Sequence, residues 1–297
     1  MSLATATPDL IPATTAPRRR GYWRALWHKL RYDYVTLFFL TIIVLIFAAA
    51  IFAPLVAPFD PNKTSMVYRL KPIGYRHFFL GTDELGRDML SRLIYGGRMS
   101  LMMGFVPVVI ATCIGGFFGV VAGFTGGWVN MLIMRIMDVF YAFPSVLLAV
   151  AISGTLGGGV GNGLIALTLV FIPPLCRVAE AATTQIRTRD FVEAARASGA
   201  SNLSIIFFHI LRNIVAPVLV YASSLISVSI LLASGLSFLG LGVEPPTADW
   251  GLMLSTLRQS IYVQPLICAM PGAAIFIASL SFNLVSDGLR QAMDVRA

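Results

Sequence analysis

The 297-residue chain is 57% hydrophobic and only 12% charged, and its mean hydropathy is +0.80. Apolar runs on this scale exceed what a soluble core of this size encloses, which excludes an ordinary soluble globule and indicates an integral membrane protein. The net charge of +8 does not indicate nucleic-acid binding, because the basic residues cluster at the ends of apolar runs and form no continuous patch with interleaved aromatics.

Six long apolar runs dominate the chain. Each is near or above the roughly 20 residues that a helix needs to cross a bilayer, whereas barrel strands would be about 10 residues long with alternating polarity. The sequence therefore predicts an all-α integral membrane protein, a six-helix transmembrane bundle. The spans are expected at residues 34–57, 100–123, 131–152, 163–178, 211–238 and 264–286.

The chain begins with a segment, residues 1–33, that is first rich in Ala, Thr and Pro and then basic and aromatic. This composition is typical of a loose tail that leads into an interfacial anchor. An arginine triplet before an apolar run imitates a secretion signal, but the run at residues 34–56 is longer than the roughly 7–15 residues of such signals. We therefore predict a retained first span and an outer loop within residues 34–98.

An even number of spans places both termini on one side of the membrane. With both termini in the cytoplasm, the inner segments hold 14 of the 22 Lys and Arg residues, which the positive-inside rule favours. Seven of the other eight lie in the loop at residues 58–98, against the rule. On balance, the charges predict cytoplasmic termini.

The loop at residues 58–98 also carries an apolar stripe that follows Thr82. The stripe and this capping residue predict a helix on the outer face of the membrane. Such a helix either guides the substrate or simply stiffens the loop. Its apolar positions are Leu85, Met89, Leu90, Leu93 and Ile94.

Glycine recurs every four residues at Gly115, Gly119, Gly123 and Gly127. These are overlapping copies of the small-xxx-small pattern that lets two helices pack closely, so we predict a helix contact and not a nucleotide-binding loop. Prolines interrupt five of the six spans, and we expect them to kink the helices. They are Pro107, Pro144, Pro173, Pro174, Pro217 and Pro271.

The polar stretch between the fourth and fifth spans is the most informative segment. Asp190 is a candidate N-cap with Glu193 completing a capping-box-like pair, and Gly199 supplies the left-handed residue that ends a helix. About two turns, or roughly 12 Å, lie between these signals. So short a helix is marginal in water, so we expect it to be held against another surface.

One face of this short helix is nearly bare. Phe191, Ala194, Ala195 and Ser198 fall at i, i+3, i+4 and i+7, which allows another protein surface to approach the backbone closely. The alternative is a helix that lies on lipid, although such helices usually carry bulkier apolar residues and flanking aromatics.

Nothing in the spans suggests that the chain supplies its own energy for transport. Secondary transporters usually bury an ionisable residue near the bilayer midplane, whereas here the acidic residue well within a span is Asp138, which we expect to pair with Arg135 on the same helix. The sequence contains no Gly-Lys dipeptide and hence no P-loop for ATP. Active transport would therefore depend on another polypeptide, for which the helix at about 190–200 is the natural docking point.

The sequence gives no support for a catalytic or metal site. None of the three histidines has, close to it in the sequence, the Ser, Cys or carboxylate residues that would complete a catalytic dyad or triad. Cys113, Cys176 and Cys268 lack CxxC spacing and fall in or beside apolar runs, so we expect small buried side chains. We predict no catalytic residue and no metal ligand.

Residues 193–199, Glu-Ala-Ala-Arg-Ala-Ser-Gly, resemble the EAA loop of ABC importer permeases, whose short coupling helix sits in a cleft of the ATPase subunit. Further blocks are similar to the C-type permease of the dipeptide, oligopeptide and nickel importer group. The chain departs from the family pattern at Arg212, where Pro is usual. The matching blocks are residues 81–92, 134–138, 142–145, 236–246 with 250–251, and 282–290.

The resemblance implies the bundle of an ABC importer permease in the bacterial inner membrane, with a permease domain at residues 99–290, a cytoplasmic coupling helix at about 190–200 and a cytoplasmic tail at 291–297. The partners that it implies are a homologous B-type permease, two ABC ATPases, an extracytoplasmic peptide-binding protein and the lipid bilayer, with no nucleic acid. ATP and Mg would be bound by the ATPases, and no cofactor would be bound by this chain.

The resemblance also implies which residues couple to the ATPase. Phe191 is expected to enter the ATPase cleft, with Glu193 and Arg196 as its polar flank. The full expected coupling set is Asp190, Phe191, Glu193, Ala194, Ala195, Arg196, Gly199 and Ala200.

The implied function is that of a non-catalytic subunit that forms half of a translocation pathway for dipeptides or oligopeptides. Within the same family, nickel chelates and glutathione are alternative substrates. Outside it, the open alternatives are an ion-coupled carrier or channel, which would transport without an ATPase, and a scaffold or sensor, which would move no solute.

Overall fold

The computed structural model describes residues 31–293, and this part of the chain is helical without β-strands. Five of its helices are long and apolar enough to cross a membrane, and two shorter helices joined by a sharp bend make a sixth span when they are counted together. This architecture confirms the predicted all-α membrane bundle. Residues 1–30 of the predicted tail and residues 294–297 lie outside the described part.

The helices of the described residues are numbered in chain order. They are α1 Tyr34–Ile51, α2 Ala53–Val56, α3 Met89–Thr125, α4 Gly127–Tyr141, α5 Ser145–Leu156, α6 Val160–Arg187, α7 Asp190–Ala197, α8 Asn202–Phe238, α9 Trp250–Leu257 and α10 Pro265–Met293. Helix α8 includes a π-helical segment, Ile205–Leu211. Short 3₁₀ turns lie at Met66–Tyr68 and Arg258–Ser260.

The second span begins earlier than predicted. Asp88 caps α3 by accepting a hydrogen bond from the Ser91 amide at 2.8 Å, and the helix then runs on without a break. The separate outer helix behind Thr82 is therefore wrong, because the Thr82 hydroxyl is used within the loop, where it accepts from the Lys71 amide at 2.8 Å. The predicted boundary at residues 98–99 consequently falls inside one continuous helix.

Helices α3 and α6 pack closely through three glycines. A Cβ atom at Gly119 would lie 2.4 Å from the Cys176 carbonyl oxygen, and Cβ atoms at Gly115 and Gly123 would each lie 2.7 Å from atoms of α6. These distances are shorter than any ordinary non-bonded contact. The two helices therefore meet at backbone distance, where only glycine fits.

The fourth glycine of the repeat lies outside this contact. Helix α3 ends at Thr125, and Gly126 and Gly127 then turn the chain with φ values of +68° and +54°. A Cβ atom at Gly127 would meet no atom within 4 Å. The predicted packing role of Gly127 is therefore wrong, because the repeat continues past the end of the helix that it fits.

One proline accompanies the break in a span. Pro144 lies between the end of α4 and the start of α5, and the two helices are bent by 86°. We call residues 142–144 the elbow. The other prolines singled out in the sequence lie inside the continuous helices α3, α6, α8 and α10.

The three cysteines are free, and Cys176 and Cys268 are buried. Cys113 is exposed, so the expectation of a buried side chain is wrong there, because this residue lines an open cavity between α3 and α8. Within residues 31–293, no group of three or more His, Cys, Asp or Glu residues lies close enough together to hold a metal ion.

A buried carboxylate fixes α9 against α3 at the end of the bundle away from α7. Asp249 caps α9 by accepting from the Leu252 amide at 3.0 Å, and it also accepts a 2.6 Å hydrogen bond from the Ser100 hydroxyl of α3. The indole Nε1 of Trp250 donates to the Leu93 carbonyl at 2.9 Å. Burial raises the pKa of the Asp249 carboxyl above its ordinary value.

The glycine contact predicts a position-specific effect of added methyl groups. We expect Gly119→Ala to lower the stability of the purified protein by roughly 1–3 kcal/mol, because the methyl group would force α3 away from α6. Thermal unfolding in detergent measures the loss. Gly116→Ala is the matched control, since a Cβ atom there meets open space; equal stability of the two variants would contradict the close contact.

The buried Asp249 carboxyl predicts a pH-dependent stability. Its raised pKa stabilises the folded state fully below the ordinary value of 3.8, and this contribution is lost as the pH rises through the raised pKa. We expect Asp249→Asn to remove this dependence while keeping the cap. Asp249→Ala should cost about 1–3 kcal/mol at neutral pH, because the cap is lost and the Ser100 hydroxyl loses its acceptor. Unfolding curves across pH check both expectations.

Candidate functional site

The short helix α7 begins one residue earlier than its sequence signals predict. Arg189, in an extended conformation, is the N-cap and makes no side-chain capping bond, whereas Asp190 is already the first helical residue. The predicted capping pair of Asp190 and Glu193 is therefore wrong, because Asp190 already has helical backbone and Arg189 occupies the extended N-cap position. Both carboxylates lie in the first turn, where they interact favourably with the helix dipole.

The end of α7 is closed by backbone hydrogen bonds around Gly199. This residue has a φ of +82°, and its amide donates to the Arg196 carbonyl at 3.0 Å. The Ala200 amide donates to the Ala195 carbonyl at 3.1 Å. The two bonds form a Schellman motif, which leaves α7 as a short helix with a defined end.

Val192 attaches α7 to the bundle. It is fully buried, and half-buried Ala195 lies three residues further on the same face. Val192 did not stand out in the sequence because it is a lone aliphatic residue among small and charged ones. Its spacing from Ala195 was the available signal. We name the surrounding contacts the Val192 cluster, which consists of Val120, Val192, Ile205, Ile210 and Ile214.

The other side of α7 is open. Phe191 is 45% exposed and Ala194 is exposed beside it, whereas Ala195 turns inward, so the bare face contains three of its four predicted residues. Within residues 31–293, none of the charged side chains of α7 is in a salt bridge. Among the remaining residues of the expected coupling set, Ala200 is half-buried. The others are exposed, and they are Asp190, Glu193, Arg196 and Gly199.

Phe191 is also held from one side. Its ring stacks on the imidazole of His209, with ring centroids 6.4 Å apart and planes inclined by 21°. His209 lies in the π-helical segment Ile205–Leu211, and its buried Nδ1 atom has no hydrogen-bond partner. Arg212, the departure from the family pattern, follows directly and continues the helix. The exposed aromatic edge of α7 is thus tied to the start of α8.

The acidic residue within the spans pairs across helices. Asp138 of α4 forms an ion pair with Arg177 of α6, so the expected pair with Arg135 on the same helix is wrong. The Arg177 guanidinium also lies over the Tyr141 ring, 4.9 Å from its centroid. The cause is the close packing of α4 against α6, because it brings the Arg177 guanidinium nearer to Asp138 than the guanidinium of Arg135 is.

A bundle of membrane-spanning helices, with a short closed helix exposed between two of them, defines the transmembrane component of a transport system. The family model described as binding-protein-dependent transport system inner membrane component matches residues 115–297. A second model, described as the N-terminal TM domain of oligopeptide transport permease C, matches residues 21–72. The chain belongs to this family of ABC importer permeases, as a C-type permease of its dipeptide and oligopeptide group.

Relatives of known name cover nearly the whole chain. It is 43% identical over 276 residues to the di/tripeptide transport system permease protein DppC of Pseudomonas aeruginosa, with 91% of each chain covered. It is 40% identical to the dipeptide permease DppC of Alkalihalophilus pseudofirmus, with 98% of this chain and 96% of the relative covered. Identity to the glutathione transport system permease protein GsiD of Escherichia coli O157:H7 is 37%, with 97% and 95% covered.

Solved structures share the fold. A chain of the inward-facing MetNI methionine ABC transporter superposes with a TM-score of 0.57 at 20% sequence identity, covering 70% of this chain and 98% of that chain. An amino acid ABC transporter superposes with a TM-score of 0.52 at 18% identity, covering 68% and 94%. The six-span architecture is therefore that of an ABC importer permease.

The closed end of α7 predicts a local effect at Gly199. We expect Gly199→Ala to destabilise α7 by roughly 1–2 kcal/mol, because a side chain is strained at this positive φ. Hydrogen exchange of the α7 amides should become about tenfold faster. Gly199→Asn is the control, since asparagine tolerates the left-handed conformation. Unchanged exchange in the alanine variant would contradict the role of the glycine.

Proposed function

We propose that this chain provides half of the membrane pathway of an ATP-driven importer of dipeptides and tripeptides and couples to the ATPase through α7. The relatives named for di/tripeptide and dipeptide transport support the substrate class. The observation that carries the coupling role is the geometry of α7, a short helix with an exposed aromatic edge, a closed end and a single buried anchor.

The contacts of α7 favour transmission of a displacement into the spans. Val192 touches the Val192 cluster, which joins α7 to both α3 and α8. Phe191 touches His209 in the π-helical start of α8. An ATPase that moves the exposed edge of α7 would therefore act on two membrane helices through packed side chains, because closely packed groups transmit strain.

The proposed assembly contains a homologous B-type permease, two ABC ATPases and an extracytoplasmic peptide-binding protein in the bacterial inner membrane. Both termini of this chain are placed in the cytoplasm. In that orientation α7 is on the ATPase side, and the loop between α2 and α3 is on the side of the binding protein. ATP and Mg are bound by the ATPase subunits, and this chain contributes no catalytic residue.

Glutathione is a second candidate substrate for the same pathway. The support is the 37% identity to glutathione permeases over 95% of their length. Glutathione is itself a peptide with free charged ends, so the same pathway chemistry would serve it. Uptake of labelled dipeptide, tripeptide and glutathione by the complex with its own binding protein distinguishes the candidates.

The coupling role predicts a loss of function at Phe191. In the assembled complex, we expect Phe191→Ala to reduce peptide uptake and the ATP hydrolysis stimulated by loaded binding protein about tenfold, because the exposed ring would no longer fill the ATPase cleft. Both rates are measured in proteoliposomes. Phe38→Ala is the matched control, a 62% exposed phenylalanine on α1. Wild-type rates in the Phe191 variant would overturn the docking proposal.

A further inference from the structure

The Asp138–Arg177 ion pair lies within the depth of the membrane. Helix α6 ends at Arg187, and Arg177 lies about ten residues before that end, or roughly 15 Å along the axis. The hydrocarbon core of a bilayer is about 30 Å thick. Asp138 lies one turn before the elbow, where the third span is broken. Cys176, the neighbour of Arg177, lies against Gly119 of α3, so the pair is level with the apolar part of α3 and nearer to the α7 end of the bundle than to the other end.

The pair is also open on one side. The Asp138 and Arg177 side chains are 41% and 46% exposed. Charged side chains at this depth are costly against lipid, and in transporters they face the bundle interior or a water-filled path. The exposed pair thus marks the face of this subunit that lines a path.

The elbow lies on the same face. Residues 139–147 are all exposed, although the backbone is not helical at residues 142–144. Non-helical backbone at membrane depth is tolerated where it lines a cavity or is covered by protein, because lipid offers no hydrogen bonds. The ion pair and the elbow are thus adjacent exposed features, and both call for a cavity or another protein surface beside them instead of lipid.

A cavity adjoins the pair. Its volume is about 280 Å³, close to the lower range of sites for small molecules. Tyr141 connects the two, since its ring lies against the Arg177 guanidinium and also lines the cavity. Other lining residues are Phe143, Ser145, Pro173, Pro174 and Tyr221.

We propose that Asp138 and Arg177 bind the charged ends of a peptide as it passes through the membrane. This inference rests on the proposed function and names the residues that meet the solute. The Asp138 carboxylate takes the peptide ammonium, and the Arg177 guanidinium takes the peptide carboxylate in bidentate form. The internal ion pair between the two side chains is replaced by two ion pairs with the peptide. The net charge of the site stays zero, because the two side chains together and the peptide are each neutral overall. Arg177 remains against the Tyr141 ring during the exchange.

The exchange explains why a zwitterion can cross at this point. A peptide with two free charged ends loses hydration inside the bundle, and that loss is offset where opposite charges are already in place. The internal pair keeps both side chains neutralised when no solute is present. The site would therefore be specific for the class of solute with both charges, and less suited to a neutral one or to an ion with one charge.

The test uses the complete complex in proteoliposomes, with saturating loaded binding protein and ATP, and a labelled dipeptide as probe. We expect Asp138→Asn and Arg177→Gln each to lower the number of peptides moved per ATP hydrolysed by about tenfold. Arg135→Gln is the matched control, because Arg135 is an exposed arginine one turn away on the same helix and should leave the ratio unchanged. Asp138→Glu, which keeps the charge, should recover part of the ratio.

A double variant separates solute binding from simple helix attachment. Exchanging the two charges, Asp138→Arg with Arg177→Asp, keeps an internal pair but reverses the positions of the cation and the anion relative to the cavity. We expect peptide uptake to stay low in this variant. Recovery of wild-type uptake would overturn the proposal and assign the pair to holding α4 against α6. Unchanged ratios in the single variants would also overturn it.

The wild-type complex tells the two proposals apart. If it takes up no peptide, the proposed function fails. If it takes up peptide and the variants at Asp138 and Arg177 behave like wild type, only the role of the ion pair fails.

Discussion

The close approach of α3 and α6 is the contact on which the other features depend. Lipid supplies no hydrophobic force between helices, so association in the membrane relies on close packing. The glycines on α3 allow α6 to approach to backbone distance. Arg187, at the end of α6, donates to the Phe124 carbonyl near the end of α3 at 3.1 Å. Because α4 follows α3 and α7 follows α6, this contact sets the positions of both the elbow and the short exposed helix.

The two regions of functional interest lie at different depths of the same helix pair. Val120 of α3 reaches the buried side of α7, and Arg177 of α6 reaches across to Asp138 of α4. One region faces out of the bundle at its end, and the other faces out about 15 Å further along α6. A movement of α6 relative to α3 would therefore displace both regions, which links the proposed ATPase contact to the proposed solute-binding pair.

Patterns that repeat along one helix were readable from the sequence. The apolar spans, the glycine spacing up to Gly123 and the end of α7 at Gly199 depend on local geometry, and the structure contains them. The exact start of a helix was harder to predict from the sequence. Asp190 resembles a cap but lies inside the helix, and Thr82 resembles a cap but serves a loop, because the real starts are set by the preceding chain.

Contacts between distant segments were not readable at all. Asp138 and Arg177 are 39 positions apart, and nothing in the sequence favours this cation over Arg135, which is three positions away. The stacking of Phe191 on His209 likewise joins two segments that a local pattern treats separately. The sequence therefore indicated which elements exist and which family they belong to, whereas the partners of the charged and aromatic residues required the packed structure.

The π-helical segment Ile205–Leu211 has a mechanical consequence for the helix that follows it. A π turn contains about one residue more than an α turn. Conversion of this segment to α-helix would therefore move the rest of α8 by about 1.5 Å along its axis and rotate it by roughly 100°. The Phe191 ring thus lies against a segment whose conversion to α-helix would turn a small displacement into a screw motion of a whole membrane helix.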